Sequence, residues 1–300
     1  MTTTAFVLSG GGSLGAVQVG MLQALTERCI APDLVIGTSV GALNAAYIAG
    51  HGVSAESLDG LEGLWTGLRR RDVFPFRALR LGAAALGRAP SLCHDGALRD
   101  LIHTHLLFDR LEAASIPVQV VATDVRSGCE IVLTQGDAVD AVMASAAIPA
   151  VFPAVRIDGR DLIDGGVADN ASISQAIASG AKRIYVLPTG YACALDEPPA
   201  SPLASALQAL TLLIEQRLIL EVATYATTAD IRVLPPLCPL SVSSADFRSG
   251  SILIDRARST TRRWLDRPEP PPTHPERFLS MHGHHITRPA PTACIGAPAS

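Results

Sequence analysis

Lysine is almost missing from this chain. Lys182 is the single one, and the rest of the basic charge is arginine, giving 24 basic against 28 acidic residues and a net charge of −4. That balance offers no general pull towards polyanions, which argues against a nucleic-acid partner. No Lys or Arg precedes Arg28 and glycines interrupt the first apolar stretch, so neither a secretory signal nor a transit peptide is expected. No uninterrupted apolar run reaches the ~18 residues of a membrane span. The six cysteines (Cys29, Cys93, Cys129, Cys193, Cys238, Cys294) form no C-x-x-C pair and no metal-ligand spacing. Reduced thiols in a cytoplasmic protein without a metal are therefore expected.

What the chain does have is apolar material: 48% of its 300 residues are hydrophobic and only 17% charged, enough for a sizeable core. Residues 5–8 read as a short buried strand, and 14–25 carry apolar residues at helical spacing. Residues 33–36 read as a second strand and 40–49 as a helix rich in small side chains. Further strands are predicted at 118–122 and 183–187, and helices over 137–147, 173–179 and 203–226. Strands alternating with helices predict an α/β fold, a three-layer α/β/α arrangement with a mostly parallel central sheet.

Between the first strand and the first helix stands SGGGSLG, residues 9–15. Gly10, Gly12 and Gly15 match the G-x-G-x-x-G spacing of a dinucleotide-binding turn, yet three successive glycines also suit a loop whose N–H groups face one developing negative charge. The dinucleotide reading needs an acidic residue at the end of the second strand to hold a ribose. That strand ends in Ile36-Gly37-Thr38-Ser39, and Asp33 lies at its beginning, so the cofactor reading loses its main support.

Gly37-Thr38-Ser39-Val40-Gly41 is a G-x-S-x-G at a strand-to-helix junction. A serine on so sharp a turn takes a strained backbone, and side chains two positions either side would collide, hence Gly37 and Gly41. The turn lifts the hydroxyl out of the sheet and sets the N–H of Val40, with the helix N-terminus, beside any oxyanion formed there. A serine needs a proton acceptor. None of the eight histidines occupies a loop after a convincing late strand, whereas Asp164-Gly165-Gly166 follows a hairpin over 155–163 with an Asp-Gly turn.

GGGSLG at 10–15, GTSVG at 37–41, ASAAIPAVFP at 144–153 and DGG at 164–166, continued to Asp169-Asn170, occur in an order that resembles the patatin-like phospholipases. The resemblance covers roughly residues 4 to 190. It implies a lipid acyl hydrolase with a Ser–Asp dyad and no cofactor: Ser39 as nucleophile, Asp164 as base, and an oxyanion hole from Gly11 and Gly12 with help from Gly10, Gly15 and Val40. Gly165 and Gly166 belong to the same motif. An acyltransferase would use the same dyad, and a non-catalytic lipid- or protein-binding module would keep the same fold. One position departs from the family, which usually carries Arg or Lys where this chain has Leu14.

The expected organisation is an acyl hydrolase domain over 4–235, a C-terminal helical completion over 236–267 and a Pro-rich unstructured tail over 268–300. Residues 61–92 set six arginines, among them Arg69, Arg70 and Arg71, between aromatic and leucine side chains. The stretch reads either as cap helices over the site or as a segment meeting the membrane interface peripherally. The expected partner is a lipid or ester substrate; oligomeric state is not legible.

Overall fold

A strand that is apolar on both faces belongs inside a sheet covered on both sides, and residues 5–8 lie there. The structure is a computed structural model that describes residues 3–75, 88, 91–195, 197–199, 202–267 and 275–280. Among the described residues, eight strands follow in chain order: β1 (Thr4–Leu8), β2 (Leu34–Thr38), β3 (Val118–Asp124), β4 (Glu130–Leu133), β5 (Val155–Ile157), β6 (Arg160–Asp164), β7 (Arg183–Leu187) and β8 (Asp230–Val233). They form one sheet in the order β5-β6-β3-β2-β1-β7-β8, with β4 also paired to β3. β3, β2, β1, β7 and β8 run parallel, and β4, β5 and β6 supply the antiparallel pairs.

Side chains alternate across the sheet as the two-residue period requires. Phe6 and Leu8 of β1 enter one core with Val35, Val120 and Leu187, while Ala5 and Val7 enter a second with Ile36, Val121 and Ile184. The first core is covered by α1 (Ala16–Thr26), α2 (Val40–His51), α3 (Ala55–Gly67), the short α4 (Arg70–Val73), α5 (Gly96–His105) and α6 (Ala138–Ser145). The second is covered by α7 (Ile173–Ala178) and α8 (Pro202–Tyr225). The final helix, α9 (Gly250–Leu265), lies over α1 with Leu253, Ile254 and Ala257 buried. This second cover explains why every residue from Ala16 to Leu25 is buried: α1 has no solvent face, and apolar residues lie all round it with only Gln18 and Gln23 polar among those buried positions. The three-layer architecture expected from the sequence is present.

Two stretches behave less simply than their composition suggests. In 61–92, Leu61, Trp65, Leu68, Val73 and Phe74 are buried while Arg69, Arg70 and Arg71 are exposed; 76–87, 89 and 90 lie outside the described residues. Most of the expected unstructured tail also lies outside them, but Pro275–Leu279 forms a 3-10 turn whose Leu279 is buried in the second core.

Candidate active site

The topology of β3 brings the two ends of the site together. Val120 and Val121 pair with β2 on one edge and with β4 on the other. Ala122 still pairs with β4, but its second partner is Asp164. β6 therefore takes up the edge that β2 vacates one residue earlier, and the residue after Thr38 meets the last residue of β6. Ser39 Oγ donates a hydrogen bond to Asp164 Oδ2 at 2.6 Å across 125 residues of sequence.

Ser39 has φ 54 and ψ −123, a region that costs a side-chain-bearing residue ~1–3 kcal/mol unless its surroundings fix it. Its N–H donates to Ser145 Oγ at 2.8 Å, and Ser145 Oγ donates to Val121 O at 2.5 Å. The flanking glycines are sterically required: a Cβ on Gly37 would lie 2.4 Å from Gly41 O, and one on Gly41 would lie 2.1 Å from Leu8 O. Asp164 Oδ1 accepts the Gly166 N–H at 2.9 Å, and Thr123 Oγ1 donates to Asp164 O at 2.9 Å. Burial pushes the Asp164 carboxyl up to about 6, against the opposing hydrogen bonds from Ser39 and Gly166.

The glycine loop reaches Ser39 from β1, held on three sides. Asn170 Oδ1 accepts the Gly10 N–H at 2.8 Å, Thr189 Oγ1 donates to Gly10 O at 2.6 Å, and Ser244 O accepts the Ser13 N–H at 2.8 Å. A Cβ on Gly12, which has φ +59, would lie 2.4 Å from Ser244 O. Among the described residues, the N–H groups of Gly11, Gly12 and Val40 have no acceptor. Those of the predicted oxyanion set therefore divide. The Gly10 N–H is taken by Asn170, and Gly15 packs under Val40 and Trp65 with its carbonyl accepting from Asn44 Nδ2 at 3.1 Å. Leu14 is fully buried in the first core, a position where a cation would lose its hydration.

Two clefts meet at the serine. One, about 480 Å³, is walled by Leu43, Trp65, Leu68, Leu98, Leu101, Phe152 and Phe247. The other, about 520 Å³, runs between the glycine loop and α8, with Leu207, Leu210, Thr211 and Ile214 on its far side. Gly12, Ser39, Phe74 and Ile148 border both. Among the described residues no histidine lines either cleft; His51 is instead stacked on Tyr47, with its ring nitrogen 3.1 Å from His105 O. Ser145, Thr189 and Ser244 are the parts that sequence reasoning missed. Ser145 lies inside the ASAAIPAVFP stretch and had that much signal; the other two had none.

A family profile described as patatin-like phospholipase matches residues 6–177. An uncharacterized NTE family protein of Mycobacterium tuberculosis is 32% identical over 165 residues, 55% of this chain and 43% of its own length. Lysophospholipase NTE1 of Mycosarcoma maydis is 26% identical over 191 residues, covering 61% of this chain and 9% of that protein. Human patatin-like phospholipase domain-containing protein 6 is 28% identical over 191 residues, 63% of this chain and 13% of that protein. The chain thus spans less than half the length of these relatives. Among solved structures, VipD from Legionella pneumophila is similar with 14% identity and a TM-score of 0.42, over 88% of this chain and 67% of that one. Human GIVD cytosolic phospholipase A2 in complex with methyl gamma-linolenyl fluorophosphonate is similar with 12% identity and a TM-score of 0.42, over 93% and 59%.

Proposed function

The chain belongs to the patatin-like phospholipase family, and on that premise we propose that it is a serine lipid acyl hydrolase of phospholipase A, lysophospholipase or esterase type. The reading is carried by the hydrogen bond of 2.6 Å between Ser39 Oγ and Asp164 Oδ2, set where two clefts meet. An ordinary aspartate is a poor base for a serine hydroxyl. A carboxyl raised to about 6 is still ionised at neutral pH and holds a captured proton better.

In the proposed cycle, Asp164 takes the Ser39 proton as Oγ bonds to the ester carbonyl carbon. The carbonyl oxygen becomes an oxyanion facing the N–H groups of Gly11, Gly12 and Val40 at the start of α2. Collapse expels the alcohol, which leaves with the proton from Asp164. Water, giving its proton to Asp164, then attacks the acyl carbon; Ser39 is reprotonated as the fatty acid departs. The cleft walled by Leu43, Leu98, Leu101 and Phe152 takes the acyl chain, and the one beside α8 takes the alcohol side.

A fluorophosphonate probe tests the assignment. Wild type is expected to label, Ser39→Ala to remain unlabelled, and Asp164→Asn to label at least ~100-fold more slowly. Labelling that survives in Ser39→Ala would refute the nucleophile. Among the described residues no helix is long and apolar enough to cross a membrane. Contact with a lipid surface is assigned on this reading to Arg69, Arg70 and Arg71, which are exposed beside the acyl cleft. Charge reversal of the three is expected to weaken binding to anionic vesicles while sparing hydrolysis of a soluble short-chain ester. Unchanged vesicle binding would remove them from that role.

A further inference from the structure

The fold brings together two thiols that are far apart in sequence and outside the Ser39 clefts. Cys193 lies in the stretch after β7, and Cys238 in the stretch after β8. Backbone bonds dock the two stretches. Ala194 N–H donates to Leu240 O at 3.0 Å, and Leu240 N–H donates to Cys193 Sγ at 3.4 Å. Cys238 lies two residues before Leu240, the residue whose N–H meets Cys193 Sγ, so the two thiols are neighbours close enough to influence each other. Cys238 is exposed and Cys193 half-buried, so a small oxidant has access to the pair.

We propose that Cys193 and Cys238 form a redox-active dithiol that closes to an intramolecular disulfide when a peroxide reaches it. The Cys238 thiolate attacks one oxygen of hydrogen peroxide, becoming a sulfenic acid as the O–O bond breaks, and the departing hydroxide takes up the proton the thiol had lost and leaves as water. The Cys193 thiolate then attacks the Cys238 sulfur, forming the S–S bond and expelling hydroxide, which takes up a proton. Two thiols lose two hydrogens in all, and the peroxide is reduced to two waters. A sulfenic acid with a second thiol beside it is resolved before further oxidation, which is the property that separates this pair from an isolated exposed cysteine.

The bond ties together the two stretches that flank the glycine loop. Thr189 lies four residues before Cys193 and holds Gly10 O, and Ser244 lies six residues after Cys238 and holds the Ser13 N–H. It also closes a loop of chain that contains α8. Burial and the neighbouring thiol push the Cys238 thiol up, and the Arg256 guanidinium, whose Nη2 donates to Pro239 O at 2.6 Å, opposes this only in part. The thiolate is therefore scarce at neutral pH, and closure is expected to speed up as the solution becomes alkaline.

Peptide mapping of the whole chain without reduction tests this, after brief exposure to hydrogen peroxide and quenching with an alkylating agent. The expected product is one cross-linked peptide pair containing Cys193 and Cys238, two hydrogens lighter than the separate peptides and restored by dithiothreitol. Cys238→Ser is expected to lose the cross-link and to leave short-chain ester hydrolysis unchanged under reducing conditions. Two outcomes overturn the proposal in the wild-type protein itself: both cysteines recovered as alkylated free thiols, or Cys238 oxidised to a sulfinic acid beside an intact Cys193. Neither outcome depends on whether the protein is a hydrolase.

Discussion

Ser39 and Asp164 each hold a state that an isolated residue would avoid, and each state has a measurable cost. The strained Ser39 backbone is pinned by its N–H bond to Ser145 Oγ. Ser145→Ala removes that acceptor and the donor to Val121 O, and is expected to lower stability by ~1–2 kcal/mol. Because the hydroxyl then samples other positions, kcat on a soluble ester should fall ~10-fold or more with KM little changed. Wild-type kcat in this variant would mean that the glycines alone hold the turn. For Asp164 the sign follows from the direction of the shift. A carboxyl raised from 3.8 to about 6 favours folding below its unfolded value, and that contribution is lost as pH rises through about 6. By about pH 8 the ionised group costs the fold on the order of 3 kcal/mol. Asp164→Asn should therefore melt higher than wild type near pH 8, with no such gain near pH 4, while losing activity. Wild-type kcat/KM should rise about tenfold per pH unit below about 6 and level off above it, since only the ionised carboxylate accepts the serine proton. A flat profile through that range would exclude Asp164 as the base.

The elements differ in how openly the chain announces them. β1, β2 and the Gly37–Gly41 turn were legible because a buried strand and a strained turn constrain every residue locally. The hairpin of β5 and β6 was legible from Asp158-Gly159, both of which have positive φ, as its tight turn demands. β4 and β8 were not: each is four residues long and part-buried, and only pairing with β3 or β7 makes it a strand. Helix α8 was legible in its extent but not in its electrostatics. It carries Glu215, which burial pushes up to about 7, and Glu221, raised by burial and by the facing Asp169 carboxylate. Glu130 lies near the same Asp169 and is also raised, mainly by burial. Glu215 and Glu221 stabilise α8 while protonated, and the contribution disappears as pH rises through and beyond about 7. Amide exchange over α8, corrected for its intrinsic pH dependence, should accelerate between about pH 6 and 9, and less so in Glu215→Gln. Equal acceleration in both proteins would show that Glu215 ionises without disturbing the helix.

At the scale of the whole molecule, the site is a meeting of segments that share no local pattern. The glycine loop, the serine turn and Asp164-Gly165-Gly166 could be read because each needs a backbone geometry that glycine supplies. Asn170, Thr189 and Ser244 hold the loop from positions about 160 to 230 residues further along the chain. Thr189 and Ser244 carry no periodic signal at such separations; Asn170 was legible with the Asp164 motif, but that it takes the Gly10 N–H, read as helping the oxyanion hole, is visible only in the fold. The cleft proposed for the acyl chain is assembled in the same non-local way: Leu43 comes from α2, Trp65 from α3, Leu98 and Leu101 from α5, and Phe247 from the stretch before α9. Its walls carry almost no polar surface, so chain-length preference should follow apolar contact at ~0.8 kcal/mol per buried methylene. Leu101 is part-buried on the wall of this cleft, where a larger side chain obstructs the cavity without entering the fully packed core. Leu101→Trp is accordingly expected to lower kcat/KM for long-chain p-nitrophenyl esters by ~10-fold or more, the loss of two or more methylenes of contact. The acetate ester, which carries no chain beyond its methyl to fill the cleft, should be hydrolysed at close to the wild-type rate. A uniform loss across chain lengths would mean that the substitution disturbs Ser39, and an unchanged long-chain rate would direct the acyl group to the cleft beside α8.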